Sequence, residues 1–150
     1  MDAQAPGGAF CDDQVTDGHT DLTAAALSGH SDVVKLLASR GADVNRRTYV
    51  DGITACMVAA LHGHADTVSA LIRLGADVDV TTVDGITALM FACLGGHSDV
   101  ATVLLDHGAN SAHKNQAGTT AAEVAKLQGH RALARLVRQR ARESPKSDPA

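Results

Sequence analysis

Residues 84–110 read DGITALMFACLGGHSDVATVLLDHGAN. The second half carries Val100, Val103, Leu104 and Leu105, whose three- and four-residue spacings give a helix an apolar face and do not alternate as a strand would. Asp99 stands in the first turn of that helix, where the dipole favours negative charge, and Gly108 follows its end, where a residue without Cβ suits a left-handed cap. The first half is helical as well. Thr87 precedes an Ala-rich run and offers a hydroxyl to the free backbone donors, and Gly96 separates the two helices. The stretch therefore predicts helix, tight turn, helix, and then an extended loop.

The same phrase is written four times. DGHTDLTAAALSGH begins at Asp17, DGITACMVAALHGH at Asp51, DGITALMFACLGGH at Asp84 and AGTTAAEVAKLQGH at Ala117. The glycines after the first letter, Gly18, Gly52, Gly85 and Gly118, are 34, 33 and 33 residues apart, a period that signals a repeat array. Thr20, Thr54 and Thr120 match Thr87; Gly29, Gly63 and Gly129 match Gly96; Gly41 and Gly75 match Gly108. In the second helices, Val33, Val34, Leu36 and Leu37 are expected to keep one face dry, as are Val68, Leu71 and Ile72, with Asp32 and Asp66 in the first turns. The last unit departs: Arg131 and Ala132 open its second helix, Ala141 replaces the closing glycine, and five arginines surround Leu133, Leu136 and Val137. A terminal cap with a wetted outer face has this composition.

The chain of 150 residues is 45% hydrophobic but only 2% aromatic, so its core is built of small residues that let helices approach closely. Residues 1–125 hold 6 Lys+Arg against 15 Asp+Glu, a net −9, and residues 126–150 hold 7 against 2, a net +5. An acidic body argues against a nucleic-acid groove along its length. Cys11, Cys56 and Cys93 are odd in number and form no CxxC pair, which favours a reducing compartment over a disulfide framework. No apolar run reaches the roughly 18 residues of a membrane span, and MDAQAPGGAF has no basic region leading an apolar one. The expectation is a soluble chain of the cytoplasm, or of the nucleus.

Phrases such as DGITALMFACLGGHSDVATVLLDHGAN resemble ankyrin repeats, over roughly residues 17–140. The resemblance implies an all-α solenoid of stacked helix-turn-helix units with short β-hairpin-like loops. The repeats fall at about 17–47, 48–80, 81–113 and 114–142, after an N-terminal tail or partial cap (1–16) and before a disordered tail (143–150). No copy keeps the family's Thr-Pro-Leu-His: Asp21, Ala55, Ala88 and Ala121 stand for Pro, and Thr23, Met57, Met90 and Glu123 stand for His. The lost Thr–His bonding is expected to lower stability somewhat.

The resemblance further implies a non-catalytic adaptor or scaffold, monomeric on its own, that binds a partner protein on its concave side. The alternative is an inhibitory or regulatory subunit of a kinase or transcription-factor complex. The hairpin tips and first helices would carry the contact: Arg46, Arg47, Tyr49, Val50, Ile53, Leu61 and His62, then Thr81, Val83, Ile86 and Leu94, then His113, Lys114 and Gln116. Leu27, Leu61, Leu94 and Leu127 recur at one position, open to two readings, packing between repeats or an apolar groove. Tyr49 beside Arg46 and Arg47 sits in the longest loop, in residue types favoured at interface hot spots.

Catalytic chemistry is not signalled. His30, His64, His97 and His130 recur because the turn recurs, each about one repeat from the next, too far apart to share an ion at roughly 2 Å. Cys56 and Cys93 read as small buried hydrophobes. No nucleophile elbow, phosphate loop or HExxH occurs, and no enzyme activity, metal or cofactor is expected. Asn45 is similar to loop asparagines that a hydroxylase modifies in some ankyrin proteins. The run RLVRQRAR is read as a capping face, with nuclear import or contact to an acidic surface as the other readings.

Overall fold

The computed structural model describes residues 21–48 and 51–143 of the chain. Among the described residues eight helices follow in order: α1 (Asp21–Ser28), α2 (Ser31–Ser39), α3 (Ala55–Leu61), α4 (Ala65–Arg73), α5 (Ala88–Gly95), α6 (Ser98–Asp106), α7 (Ala121–Leu127) and α8 (Arg131–Glu143). Among the described residues there is no strand. The last helix includes Glu143, one residue past the expected domain end. Thr20, Cys11 and the remaining tail residues lie outside the described part.

The predicted caps form. The hydroxyls of Thr54, Thr87 and Thr120 accept from the backbone N–H groups of Met57, Met90 and Glu123 at 3.3, 3.3 and 3.4 Å. What replaces His decides how well the reciprocal bond survives. Glu123 Oε1 accepts from Thr120 N at 3.0 Å, completing a charged capping box, whereas the Met57 sulfur, a weaker acceptor, takes Thr54 N at 3.4 Å. The Thr–His loss is therefore repaired fully in the last repeat and weakly in the second.

The helices form two rows. Odd-numbered helices pack on odd-numbered neighbours and even on even, while each odd helix also packs on the even helix that follows it. The odd row buries Ala25, Ala26, Ala59, Ala60, Ala92 and Ala125 together with Leu22, Met57, Leu89 and Met90, and the even row buries Val34, Val68, Leu71, Val100, Leu104 and Val137. The odd row carries the first helix of each unit and is called the inner row. One continuous core runs through all four units.

The repeated histidines link successive units. His64 Nε2 lies 3.0 Å from the Leu27 carbonyl, and His97 Nε2 lies 2.9 Å from the Leu61 carbonyl. Each ring lies over a glycine of the preceding turn: a Cβ on Gly63, which is held at φ +77°, would stand 2.6 Å from His97 Nδ1. The histidine thus satisfies a helix-end carbonyl of its neighbour, a packing task that accounts for its recurrence.

Val33 and Leu36 depart from expectation. Val34 and Leu37 are buried, but Val33 is 42% exposed where its counterpart Val100 is fully covered. The difference is positional: Val100 has a preceding repeat against its flank, and among the described residues α2 has none.

Candidate functional site

The loops between repeats stack on one another beside the inner row. Thr82 N donates to the Ile86 carbonyl at 2.9 Å and Asn115 N to the Thr119 carbonyl at 3.1 Å, closing hairpin-like tips. Thr48 N bonds the Ile53 carbonyl in the same way at 2.9 Å, and the extra residue of this loop is taken up between Thr48 and Gly52. The tips are then joined in series, Val83 N to the Asp51 carbonyl and Gln116 N to the Asp84 carbonyl, both at 3.0 Å. At the loop bases Asn45 uses both amide atoms, donating to the Gly75 carbonyl at 3.1 Å and accepting from Asp77 N at 2.8 Å.

Several residues expected to face a partner are part of this ladder. Arg47 Nη2 donates to the Thr81 carbonyl at 2.8 Å, Gln116 Nε2 to the Val83 carbonyl at 2.7 Å, and the His113 ring lies 2.9 Å from the Gly85 carbonyl. Stacked loops leave such carbonyls needing donors, and these side chains supply them. Arg46 is half-buried and has an interaction of its own. Lys114 is exposed, and with Arg138 it helps lower the Glu123 carboxyl, whose chief causes are the backbone and hydroxyl hydrogen bonds of Thr120. Tyr49 and Val50 lie outside the described residues.

The apolar members of the set come together on the inner row. Leu27, Ile53, Met57, Leu61, His62 and Phe91 line a cleft of about 360 Å³ spanning α1, α3 and α5, with Thr23, Ala24 and Val58 completing it. A second cleft of about 250 Å³ is bounded by Ile86, Met90 and Leu94 on one side and Val124 and Leu127 on the other. Packing between repeats does not bury the recurring leucines: Leu27, Leu94 and Leu127 are exposed, Leu127 to 76%, and Leu61 is half-buried. Val83 is exposed on the tip above them.

Sequence reasoning missed Phe91. It occupies the place of Ala24, Val58 and Val124, and only its size distinguishes it: among the described residues it is the sole Phe, Tyr or Trp. The cleft it lines is apolar except for Thr23 and His62, and the His62 ring lies near that of His64, at 6.4 Å between centroids.

Cys56 and Cys93 lie in the core as free thiols, and burial pushes both up to about 12. Among the described residues no group of three or more His, Cys, Asp or Glu is placed to hold a metal ion, and no helix is long and apolar enough to cross a membrane.

Two rows of short helices, stacked loops and an apolar inner face define an open helical-repeat module. The family model described as ankyrin repeats (three copies) matches residues 5–82 and 56–146. The chain belongs to the ankyrin-repeat family, whose members are generic protein-interaction modules and typically non-catalytic. A search of curated proteins gave no match.

Proposed function

We propose that the chain is a non-catalytic adaptor that binds a partner protein along its inner, concave face. One observation carries this reading: the cleft of about 360 Å³ between Leu27, Leu61 and Phe91 is almost wholly apolar and open to water. Three more apolar side chains, Val83, Leu94 and Leu127, continue the exposed surface across the next two repeats. Covering what remains exposed of one half-buried leucine contributes about 1 kcal/mol, so a partner that fills both clefts gains affinity from several such side chains together. The loop ladder holds the surface in place before binding, which limits the ordering cost. The buried thiols at Cys56 and Cys93 support a setting in the reducing cytoplasm or nucleus.

The test is a photo-crosslinking residue placed at Leu94 on the inner row, and in a second protein at Lys35 on the outer row. The partner that crosslinks is identified, purified and titrated against wild-type and Leu94→Glu chains. The reading expects crosslinking from position 94 only and an affinity loss of at least about tenfold, because a carboxylate would be stranded against apolar surface. Equal crosslinking from both positions, or unchanged affinity, would overturn it. The partner's own activity with and without the chain then distinguishes placing from inhibiting it.

A further inference from the structure

A further concavity lies at the far end of the described stack. It has a volume of about 710 Å³ and is lined only by residues of α7 and α8, among them Lys126, Arg131, Ala134, Arg135, Arg138 and Arg142. The four arginines stand at intervals of four, three and four residues, so at about 100° per residue they form a single stripe along α8. Arg140 lies about 140–180° from them around the helix and pairs with Asp106 of α6. The stripe therefore points away from the preceding repeat, onto the end face of the last described helix pair.

This charge is met only in part from within: Arg138 helps hold the Glu123 carboxyl low. Among the described residues none of the four arginines makes an ion pair. The acids nearest the stripe are already occupied: Glu123 caps α7 through Thr120, and Glu143 accepts from Gln139 at 3.0 Å. A capping role needs only a wetted surface. Five cations round a cleft, on a chain whose first 125 residues carry a net −9, go beyond that need.

We infer that this end face docks an acidic, helical segment of a partner protein, as a surface separate from the inner clefts. Three features favour a helix over an extended polyanion. The stripe from Arg131 to Arg142 is about 16 Å long, three turns of helix. Its four-three-four spacing is the spacing at which carboxylates recur along one face of a facing helix. The cleft lies between two packed helices and includes Ala134 and the arginine methylenes, which give apolar contact to a helix side and nothing to phosphates. A nucleic acid or a lipid surface would extend past the stripe and meet the acidic body.

The probe is a fluorescent Ala/Leu-based helical peptide of about 18 residues with glutamates at the four-three-four spacing, titrated by anisotropy against the full chain. Four comparisons accompany it: the same peptide with Gln for Glu, a short DNA duplex, phosphatidylserine vesicles, and the chain carrying Arg135→Glu and Arg138→Glu. The inference expects the Glu peptide to bind more tightly than the other three ligands. It expects the charge reversal to weaken binding at least about tenfold, since two attractions become two repulsions. Arg140→Gln, which breaks only the internal pair with Asp106, is expected to leave affinity within about twofold. Unchanged binding by the folded charge-reversed chain would overturn the inference, as would tighter binding of the duplex or the vesicles. If that variant melts early, Arg131→Gln with Arg142→Gln gives the same reading. Leu94→Glu leaves this binding intact, so the two surfaces fail or succeed separately.

Discussion

Replacing Gly63 with alanine tests whether the histidine ring of one repeat is seated on the turn of the one before it. Gly63 lies at φ +77°, and a Cβ there would stand 2.6 Å from His97 Nδ1 and 2.7 Å from His97 Cε1. Gly129 is the matched control: the same turn position, φ +86°, with nothing within 4 Å of its added Cβ. Gly129→Ala therefore carries only the left-handed strain of an L-residue, about 1–2 kcal/mol. Gly63→Ala carries that strain and an overpacking cost of about 1–3 kcal/mol, for a total of about 2–5 kcal/mol. His97→Ala costs about 1–3 kcal/mol, because the Leu61 carbonyl loses its ring partner. In the double variant the clash is gone, so its loss should fall short of the summed single losses by about 1–3 kcal/mol. Urea unfolding followed by far-ultraviolet circular dichroism measures each free energy. Equal losses for the two glycine variants, together with strict additivity in the double variant, would refute the proposed seating.

Other consequences are separable from that one. Gly95→Ala is expected to destabilise the chain although alanine is the better helix former by about 1 kcal/mol, because its Cβ would stand 2.7 Å from the Leu61 carbonyl oxygen; thermal melts decide the sign. Thr87→Ala removes a hydroxyl that caps α5 and should cost about 1 kcal/mol in urea unfolding. Glu123 has a lowered pKa in the fold, so its contribution is present above the unfolded carboxyl's pKa and lost as pH falls through its own; wild type and Glu123→Gln should therefore converge in stability on acidification. Cys56 and Cys93 hold their protons up to about 12, whereas an unfolded thiol releases its proton near 8.5. Thiol reagents at pH 8 should thus modify Cys56 and Cys93 slowly in the native protein and fast in urea, read residue by residue by mass spectrometry, and stability should fall as pH rises above about 9.

The repeat was legible because its letters are set by backbone geometry. Thr54, Thr87 and Thr120 cap, Gly63 and Gly96 take left-handed turns, and Val68, Leu71 and Leu104 fill the core wherever they recur. The inner face was half legible. A position that repeats, such as Leu27, Leu61, Leu94 and Leu127, announces shared surroundings, but its letters do not say whether a neighbour covers it. The polar tips were harder. Arg47, His113 and Gln116 have the composition of an interface, yet the next loop's carbonyls take their hydrogen bonds, and one sequence does not reveal which carbonyls a stack leaves open. Phe91 went unnoticed because it is an exception to the repeat, and periodicity finds only what recurs. Val33 and Leu36 were misjudged for the opposite reason: the period treats an end unit as though it had neighbours on both sides.

Hydrogen–deuterium exchange on the chain, free and saturated with its crosslinked and purified partner, tests the inner-face claim most directly. Slower exchange in α1, α3 and α5 and in the loop tips at residues 51–53 and 83–86, with α2, α4 and α6 unchanged, is the predicted pattern. Protection confined to the outer row, with Ile53, Leu61 and Phe91 exchanging as freely as before, would contradict it.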